Sequence, residues 1–280
     1  MRFFNSLFSF YVQSNMHVAL AVSSLTILTG VYFNIDSTFS SWFLGASTFL
    51  SYNAIRYLKY KTGILRVDIE DWFIRSLKYL QLSSLIVIMF LIVLISKLKI
   101  VDYLVLLPFF SLTLLYMIPV FKSKNQLYSL RQLPGVKIFS IAVSWAGLIT
   151  FLPLLRQEVV IDIKVLGYFI LQFFFVIVLT IPFDIRDFLF DSKKLKTIPQ
   201  VIGIKGAKLL GIVLLILLFL IHICVFKDVS YIPLLVVILF LSILLWKSNS
   251  HQHKYYASFW VEGIPIIWVL LLNLFDKIYK

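Results

Sequence analysis

Three aspartates, Asp184, Asp187 and Asp191, are the side chains of this sequence best suited to chemistry. Their i, i+3, i+7 spacing places all three carboxylates on one face if the segment is helical. Carboxylates this close repel one another, and the dipole at a helix C-terminus opposes them as well. We therefore expect a cation here, and Mg²⁺ is suitable because it takes one or two carboxylates together with waters and substrate phosphates. A solvated helix end neutralised by neighbouring Arg and Lys side chains is the open alternative.

Three lysines, Lys193, Lys194 and Lys196, follow the aspartates directly. As compact point charges they are suited to holding a diphosphate. They are equally suited to contacting the headgroups of anionic lipids on the cytosolic side of a membrane. The sequence does not separate these two interpretations.

Two further polar positions are candidates for a functional site. Asn53 and Arg56 share a helical face near the end of an apolar segment, which indicates polar partners in a central cavity. The alternative for Arg56 is that its side chain reaches out to the membrane interface. Glu262, beside Gly263 at the start of the last apolar segment, is a candidate because acids near membrane depth are usually functional.

The elements that carry these residues are transmembrane helices. The chain is 61% hydrophobic and 14% charged, with a mean hydropathy of +0.96, whereas soluble domains are about 45–50% apolar and about 25% charged. Segments of roughly 20 apolar residues cross a bilayer as helices. We predict an all-α bundle of about nine transmembrane helices around a central cavity, forming a single domain over residues 1–280. The segments are His17–Phe33, Phe39–Tyr57, Leu77–Ser96, Val101–Phe121, Val136–Leu155, Val165–Ile185, Ala207–Phe226, Ser230–Trp246 and Ala257–Phe275.

Basic residues predict the orientation of this bundle. Seventeen of the 26 Lys and Arg residues lie in the even-numbered connections between segments, and five lie in the odd-numbered ones. Because cytosolic loops are enriched in Lys and Arg, we expect a cytosolic N-terminus, an external C-terminus and a location in the plasma or inner membrane. The aspartates then lie at the cytosolic end. The net charge of +13 follows this topology, so we expect no nucleic-acid partner.

Two stretches resemble motifs of the UbiA superfamily of intramembrane prenyltransferases. One runs from Asp184 to Asp191 and on to Lys196-Thr197-Ile198-Pro199, similar to the family's second aspartate motif. The other runs from Leu130 to Lys137 and on to Val143-Ser144-Trp145-Ala146, similar to the entry of its fifth span. With the number of segments, the resemblance covers nearly the whole chain.

The resemblance implies a helical bundle with a cavity open to lipid and an alkyl-transferring activity. In this family Mg²⁺ on aspartate motifs holds a prenyl diphosphate, and the metal and basic residues stabilise the charge of the leaving diphosphate. An aromatic or lipid acceptor then takes the prenyl group. The implied catalytic residues and Mg²⁺ ligands are Asp184, Asp187 and Asp191. The implied diphosphate contacts are Asn53, Arg56, Lys122, Lys124, Arg186 and Lys193.

The sequence departs from the family in its first motif, Asn-Asp-x-x-Asp-x-x-x-Asp at the end of the second span. When the motif is aligned from Asn53, the three aspartates are replaced by Ala54, Tyr57 and Lys61. Basic residues of the same segment, Arg56, Lys59 or Lys61, are candidates to contact the diphosphate in place of a metal. A non-catalytic protein that binds an isoprenoid or assists an enzyme is the alternative. A transporter is a weaker one, because Pro182 and Pro265 alone interrupt spans near functional positions.

Overall fold

The computed structural model describes residues 2–63, 67–118, 120–123 and 126–279. Within this part of the chain there are ten α-helices: α1 (Arg2–Gln13), α2 (Met16–Phe33), α3 (Thr38–Lys61), α4 (Val67–Ile95), α5 (Ile100–Met117), α6 (Val136–Arg156), α7 (Ile163–Arg186), α8 (Ile198–Val225), α9 (Tyr231–Lys247) and α10 (Ile264–Tyr279). A small hairpin, β1 (Phe121–Ser123) with β2 (Gln126–Tyr128), follows α5. Leu130–Gln132 and Lys193–Leu195 are short 3₁₀ helices, and Tyr256–Val261 is a π-helix.

The predicted helical membrane bundle is confirmed. Six helices of the described part are long and apolar enough to cross a membrane, and two shorter apolar helices, Ile100–Tyr116 and Tyr231–Lys247, accompany them. On its outside, α4 exposes a row of large apolar side chains, among them Leu82, Ile86 and Met89. Water would not solvate such a surface, whereas lipid does. The chain is therefore an integral membrane protein, and the count of nine spans stays a prediction.

Several helices extend beyond the apolar segments that predicted them. The connection between the predicted segments Phe39–Tyr57 and Leu77–Ser96 is mostly helical, because α3 ends at Lys61 and α4 begins at Val67. In the same way α8 begins at Ile198, where Thr197 N donates to Gln200 Oε1 at 3.1 Å and caps the helix. Gly203, with φ 74° and ψ 164°, kinks the start of α8. The extensions carry exposed lysines, Lys61 in α3 and Lys205 in α8.

The core of the bundle lies around α7. Its side chains Leu171, Phe175 and Val178 are fully buried, and α7 packs along both α6 and α8. α7 is apolar over most of its length, with Gln172 as a fully buried polar residue near its middle. This central position also carries the C-terminal end of α7, and with it the aspartates, into the interior of the bundle.

The helix α1 was not predicted, since its residues precede the first apolar segment. Asn15, with φ 66°, makes the turn from α1 into α2. The ring of Phe8 packs edge-on against Tyr255 and Phe259, at centroid distances of 5.1 Å and 4.8 Å. His17 extends this contact, because its Nε2 donates to the Phe259 carbonyl at 2.9 Å. α1 thus lies against the segment that leads into α10.

Candidate functional site

One end of the bundle collects the polar residues that the sequence singled out. Since successive helices run antiparallel, the ends of α3, α5 and α7 lie beside the starts of α6 and α10. Hydrogen bonds fasten the connections at this end to one another. Gly135 N donates to Leu195 O at 2.9 Å, and Gln252 Nε2 donates to Pro182 O at 3.1 Å. These two bonds join the connections before α6 and before α10 to the end of α7 and the segment that follows it.

Lys137 is the cation that the aspartates require. It lies in the first turn of α6, and its Nζ donates to Asp184 Oδ1 at 2.8 Å and to Asp191 Oδ2 at 2.9 Å. Asp184 is 3% exposed, and a carboxylate this deeply buried needs such a partner. The structure therefore brings two of the three predicted aspartates together, with an ammonium group of the protein between them.

Asp187 faces a different partner. α7 ends at Arg186, so Asp187 and Asp191 lie in the following turn and do not continue the helical face assumed for all three. Arg186 Nε and Nη2 donate to Asp187 Oδ1 and Oδ2 at 2.9 Å and 3.0 Å. Among the described residues, no three His, Cys, Asp or Glu side chains are arranged to hold a metal ion. Repulsion between the carboxylates is relieved here by one Lys and one Arg.

The residues at the end of α7 fit one Mg²⁺ ion. Asp184 and Asp191 converge, and Asp184 Oδ2 is buried with no hydrogen-bond partner among the described atoms. Two carboxylates with an unused oxygen supply the protein's share of Mg²⁺ ligands when waters and phosphates complete the set. α3, where the family carries its other motif, contains no acidic residue. The chain therefore has carboxylates for one metal ion at most in this pair of helices.

Asn53 and Arg56 tie α3 to the junction between α1 and α2. Asn53 Nδ2 donates to Ser14 O at 2.9 Å, and Asn53 Oδ1 accepts from Asn15 at 3.0 Å. The Arg56 guanidinium donates to Asn15 Oδ1 at 2.9 Å and to the Gln13 carbonyl. Both side chains are thus already engaged in positioning α1, a role that the sequence did not indicate.

The face of α3 that points to the site differs from the one assumed in the alignment. Ala54, Tyr57 and Lys61, the residues aligned with the missing aspartates, are exposed. Tyr52 and Lys59 point to the site. Tyr52 interacts electrostatically with Glu262 and Arg131. Lys59 interacts electrostatically with Arg131, Arg56, Asp187 and Lys137.

Lys59 lies beyond the apolar part of α3, and its neighbouring charges are mostly positive. Burial, together with the positive charges of Arg131 and Arg56, lowers its pKa to about 8. A lysine held among other cations gains from any anion that enters. Tyr116, at the end of α5, interacts electrostatically with Arg131 and Lys137, two of the charges that also act on Lys59.

Glu262 belongs to the segment that leads into α10. It follows the π-helix Tyr256–Val261, a distortion that often occurs at functional positions. It interacts electrostatically with Arg186 and Arg56. The Glu262 side chain is partly buried.

The remaining predicted contacts lie at the edge of the described site. Lys193 begins a 3₁₀ helix and is exposed. Lys122 lies in β1, but its side chain is not among the described ones, and Lys124 lies outside the described residues. Sequence reasoning missed Tyr52 and Tyr116 as site residues, because a tyrosine in an apolar segment carries no signal that separates a site from a lipid contact.

Comparisons with solved structures identify this fold. Structures of a UbiA homologue from Archaeoglobus fulgidus match over 94% of the chain. The one bound to GPP and Mg²⁺ has a TM-score of 0.51 at 12% identity and covers 95% of the homologue, and the one bound to DMAPP and Mg²⁺ has a TM-score of 0.50 at 13% identity and covers 94%. No known family's sequence profile matches the chain, and no curated protein matches it. At these identities the likeness establishes the fold, and the resemblance to UbiA proteins is confirmed at that level.

Proposed function

We propose that this chain, which has the fold of UbiA homologues, is a membrane prenyltransferase. It transfers a prenyl group from a prenyl diphosphate to an aromatic or lipid acceptor, and the N-terminus lies in the cytosol. The observation that carries the proposal is the convergence of Asp184, Asp191 and Lys137 inside a bundle of this fold. The homologue's complexes with GPP or DMAPP and Mg²⁺ support the donor class and the metal.

Asp184 and Asp191 would hold a Mg²⁺ ion, with Asp187 beside them, and the ion would supply positive charge to a bound diphosphate. The chain's own residues prepare the site. Lys137 keeps the two carboxylates together, and Arg186 orients Asp187.

Basic residues around the end of α7 stabilise the negative charge that develops on the leaving diphosphate. The proposed contacts remain those indicated by the resemblance: Asn53, Arg56, Lys122, Lys124, Arg186 and Lys193. Because Asn53 and Arg56 hold α1, we expect them to act largely by positioning. The apolar interior of the bundle excludes water, which would otherwise capture the allylic cation.

The test measures release of diphosphate by the full-length protein in nanodiscs. Labelled prenyl diphosphates of several chain lengths are supplied with a membrane extract, and prenylated products are identified by mass spectrometry. We expect Mg²⁺-dependent release that Asp187→Asn lowers by about 10²-fold or more, the usual cost of losing a group that stabilises transition-state charge. Glu158→Gln, a change in the connection at the opposite end of the bundle, is the matched control and should leave release unchanged.

A non-catalytic isoprenoid-binding protein is the second candidate. The absence of acidic residues from α3 and the occupation of both carboxylates by Lys137 favour it. If the wild type binds prenyl diphosphates but releases no diphosphate with any donor length, prenyl transfer is contradicted and binding remains.

A further inference from the structure

A groove lies between α8 and α9, and none of its lining residues belongs to the site at the end of α7. Its volume is about 350 Å³, and it is lined by Lys205, Lys208, Leu209 and Trp246. Leu209 and Trp246 are 57% and 60% exposed, so the groove opens at the outer surface of the bundle. Two basic and two apolar side chains therefore form one concave site on the side of the protein that faces lipid.

The groove lies at the membrane boundary predicted for both helices. Lys205 and Lys208 flank Ala207, where the predicted apolar segment of α8 begins, and Trp246 ends the predicted segment of α9. Trp side chains are enriched at the level of the lipid headgroups. The distribution of Lys and Arg predicts that this boundary is the cytosolic one, where the leaflet contains anionic lipids.

The Lys208 ammonium group is held inside the groove. Its Nζ donates to Trp246 O, a carbonyl in the last turn of α9, at 2.6 Å. A lysine that only reached the membrane interface would extend towards water, whereas Lys208 folds back onto the neighbouring helix. Because an ammonium group has three N–H donors, two of them remain for a ligand.

No acid neutralises this pair of lysines in the part of the chain that the structure describes. Neither α8 nor α9 contains an Asp or Glu residue. The salt bridges of the described residues involve neither Lys205 nor Lys208. The two lysines are three residues apart on α8, so they are neighbours on one face of the helix. The groove therefore presents two positive charges that an anionic ligand would neutralise.

Exposed apolar side chains continue from the groove along both helices. On α8 they recur every three or four residues, which places them on one face of the helix. This row consists of Leu209, Val213, Ile216 and Leu220, which are 50–57% exposed. On α9, Ile243 and Leu239 follow Trp246 with the same spacing and are 51% and 57% exposed. The surface thus has a charged end at the membrane boundary and an apolar part at membrane depth.

We infer that the groove between α8 and α9 binds one anionic phospholipid. Its phosphate lies between Lys205 and Lys208, where the oxygens accept charge-assisted hydrogen bonds from the two ammonium groups. One acyl chain lies along the exposed apolar row of α8. Basic pockets between transmembrane helices on the cytosolic side bind lipid headgroups in this way. Binding here needs neither the aspartates nor Mg²⁺, so the inference is independent of prenyl transfer.

Native mass spectrometry of the full-length protein in detergent tests the groove. The probes are dioleoyl phosphatidylglycerol and dioleoyl phosphatidylcholine, which have the same acyl chains and differ in headgroup charge. We expect the wild type to bind its first phosphatidylglycerol about tenfold more tightly than phosphatidylcholine, because two lysines contribute. Lys205→Gln and Lys208→Gln should each weaken phosphatidylglycerol binding about fivefold, which is the contribution of one lysine near an anionic headgroup.

Two further variants control for charge and folding. Lys205→Arg keeps the positive charge and should retain phosphatidylglycerol binding. Lys227→Gln removes the same charge from an exposed lysine just after the other end of α8, and it should leave binding unchanged. Lys205 is exposed and makes no hydrogen bond within the described residues, so we expect its variants to fold normally.

Equal affinity of the wild type for the two lipids overturns the inference. A Lys205→Gln protein that keeps wild-type affinity for phosphatidylglycerol overturns it too, as does an equal loss in Lys227→Gln, because the effect then comes from overall charge. Displacement of the lipid by inorganic phosphate would show a site for a free anion and would also contradict it. Selectivity for phosphatidylglycerol that depends on Lys205 and Lys208 supports the inference, whether or not the protein transfers prenyl groups.

Discussion

At the scale of single residues, Lys137 is the most informative position. Three acids in eight residues predict a cation, and a metal ion is the obvious choice from the sequence. The structure supplies an ammonium group instead, from a residue 47 positions before Asp184. Asp184 and Asp191 accept its hydrogen bonds, and their charge is partly neutralised within the protein.

Removing Lys137 should therefore destabilise the fold. Lys137→Met leaves the buried Asp184 carboxylate without its partner, which should lower the free energy of unfolding by about 3–5 kcal/mol. Thermal unfolding in detergent measures the effect, and Lys194→Met, at an exposed lysine nearby, serves as the control. Adding Asp184→Asn to the Lys137→Met protein should recover part of the lost free energy of unfolding. A Lys137→Met protein that unfolds at the wild-type temperature would show that the pair is unimportant for stability.

At the scale of elements, glycines determine how closely the helices approach. A Cβ atom at Gly147 in α6 would overlap the ring of Phe109 from α5. At Gly167 in α7 a Cβ would meet Val225 of α8 at 3.5 Å, an ordinary contact. Small residues at such interfaces let the helix backbones pack together in membranes. The two positions therefore respond differently to the same substitution.

Gly147→Ala should destabilise the bundle by about 1–3 kcal/mol, because the added methyl group displaces Phe109 in a packed interface. Gly167→Ala, the matched control, should be neutral or slightly stabilising, since Ala favours helix over Gly. Unfolding of both variants in the same detergent compares them directly. Equal unfolding temperatures would contradict the close approach of α5 and α6.

At the scale of the whole molecule, the proposed orientation depends on the placement of basic residues. The end of α7, with the connections hydrogen-bonded to it, lies at the end that the charge pattern assigns to the cytosol. Prenyl diphosphates are too polar to cross a bilayer unaided, so a cytosolic mouth fits the proposed donor. Asn249 and Glu158 mark the two ends of the bundle, because one follows α9 and the other follows α6.

Cysteine labelling tests this orientation in a Cys224→Ser background, which removes the single native cysteine. A maleimide that does not cross membranes is applied to intact cells. We expect Glu158→Cys to be labelled from outside and Asn249→Cys to be labelled after the membrane is permeabilised. The reverse pattern would place the aspartates on the external face and contradict the predicted topology.

The sequence by itself determined that this protein lies in lipid, that it is helical and that its aspartate segment follows directly on an apolar helix. Those properties depend on composition and on spacing within one helix, so a linear pattern carries them. The helices α3 and α8 extend beyond the predicted apolar segments, because hydropathy detects lipid contact and not hydrogen bonding.

Only the tertiary structure decided which charges meet. Lys137 reaches Asp184 from another helix, Asn53 serves the α1 junction, and α3 points Lys59 to the site in place of Lys61. Each of these depends on the rotation of a helix about its axis and on the identity of its neighbours. Packing sets both, and for an apolar helix surrounded partly by lipid the sequence contains little information about either.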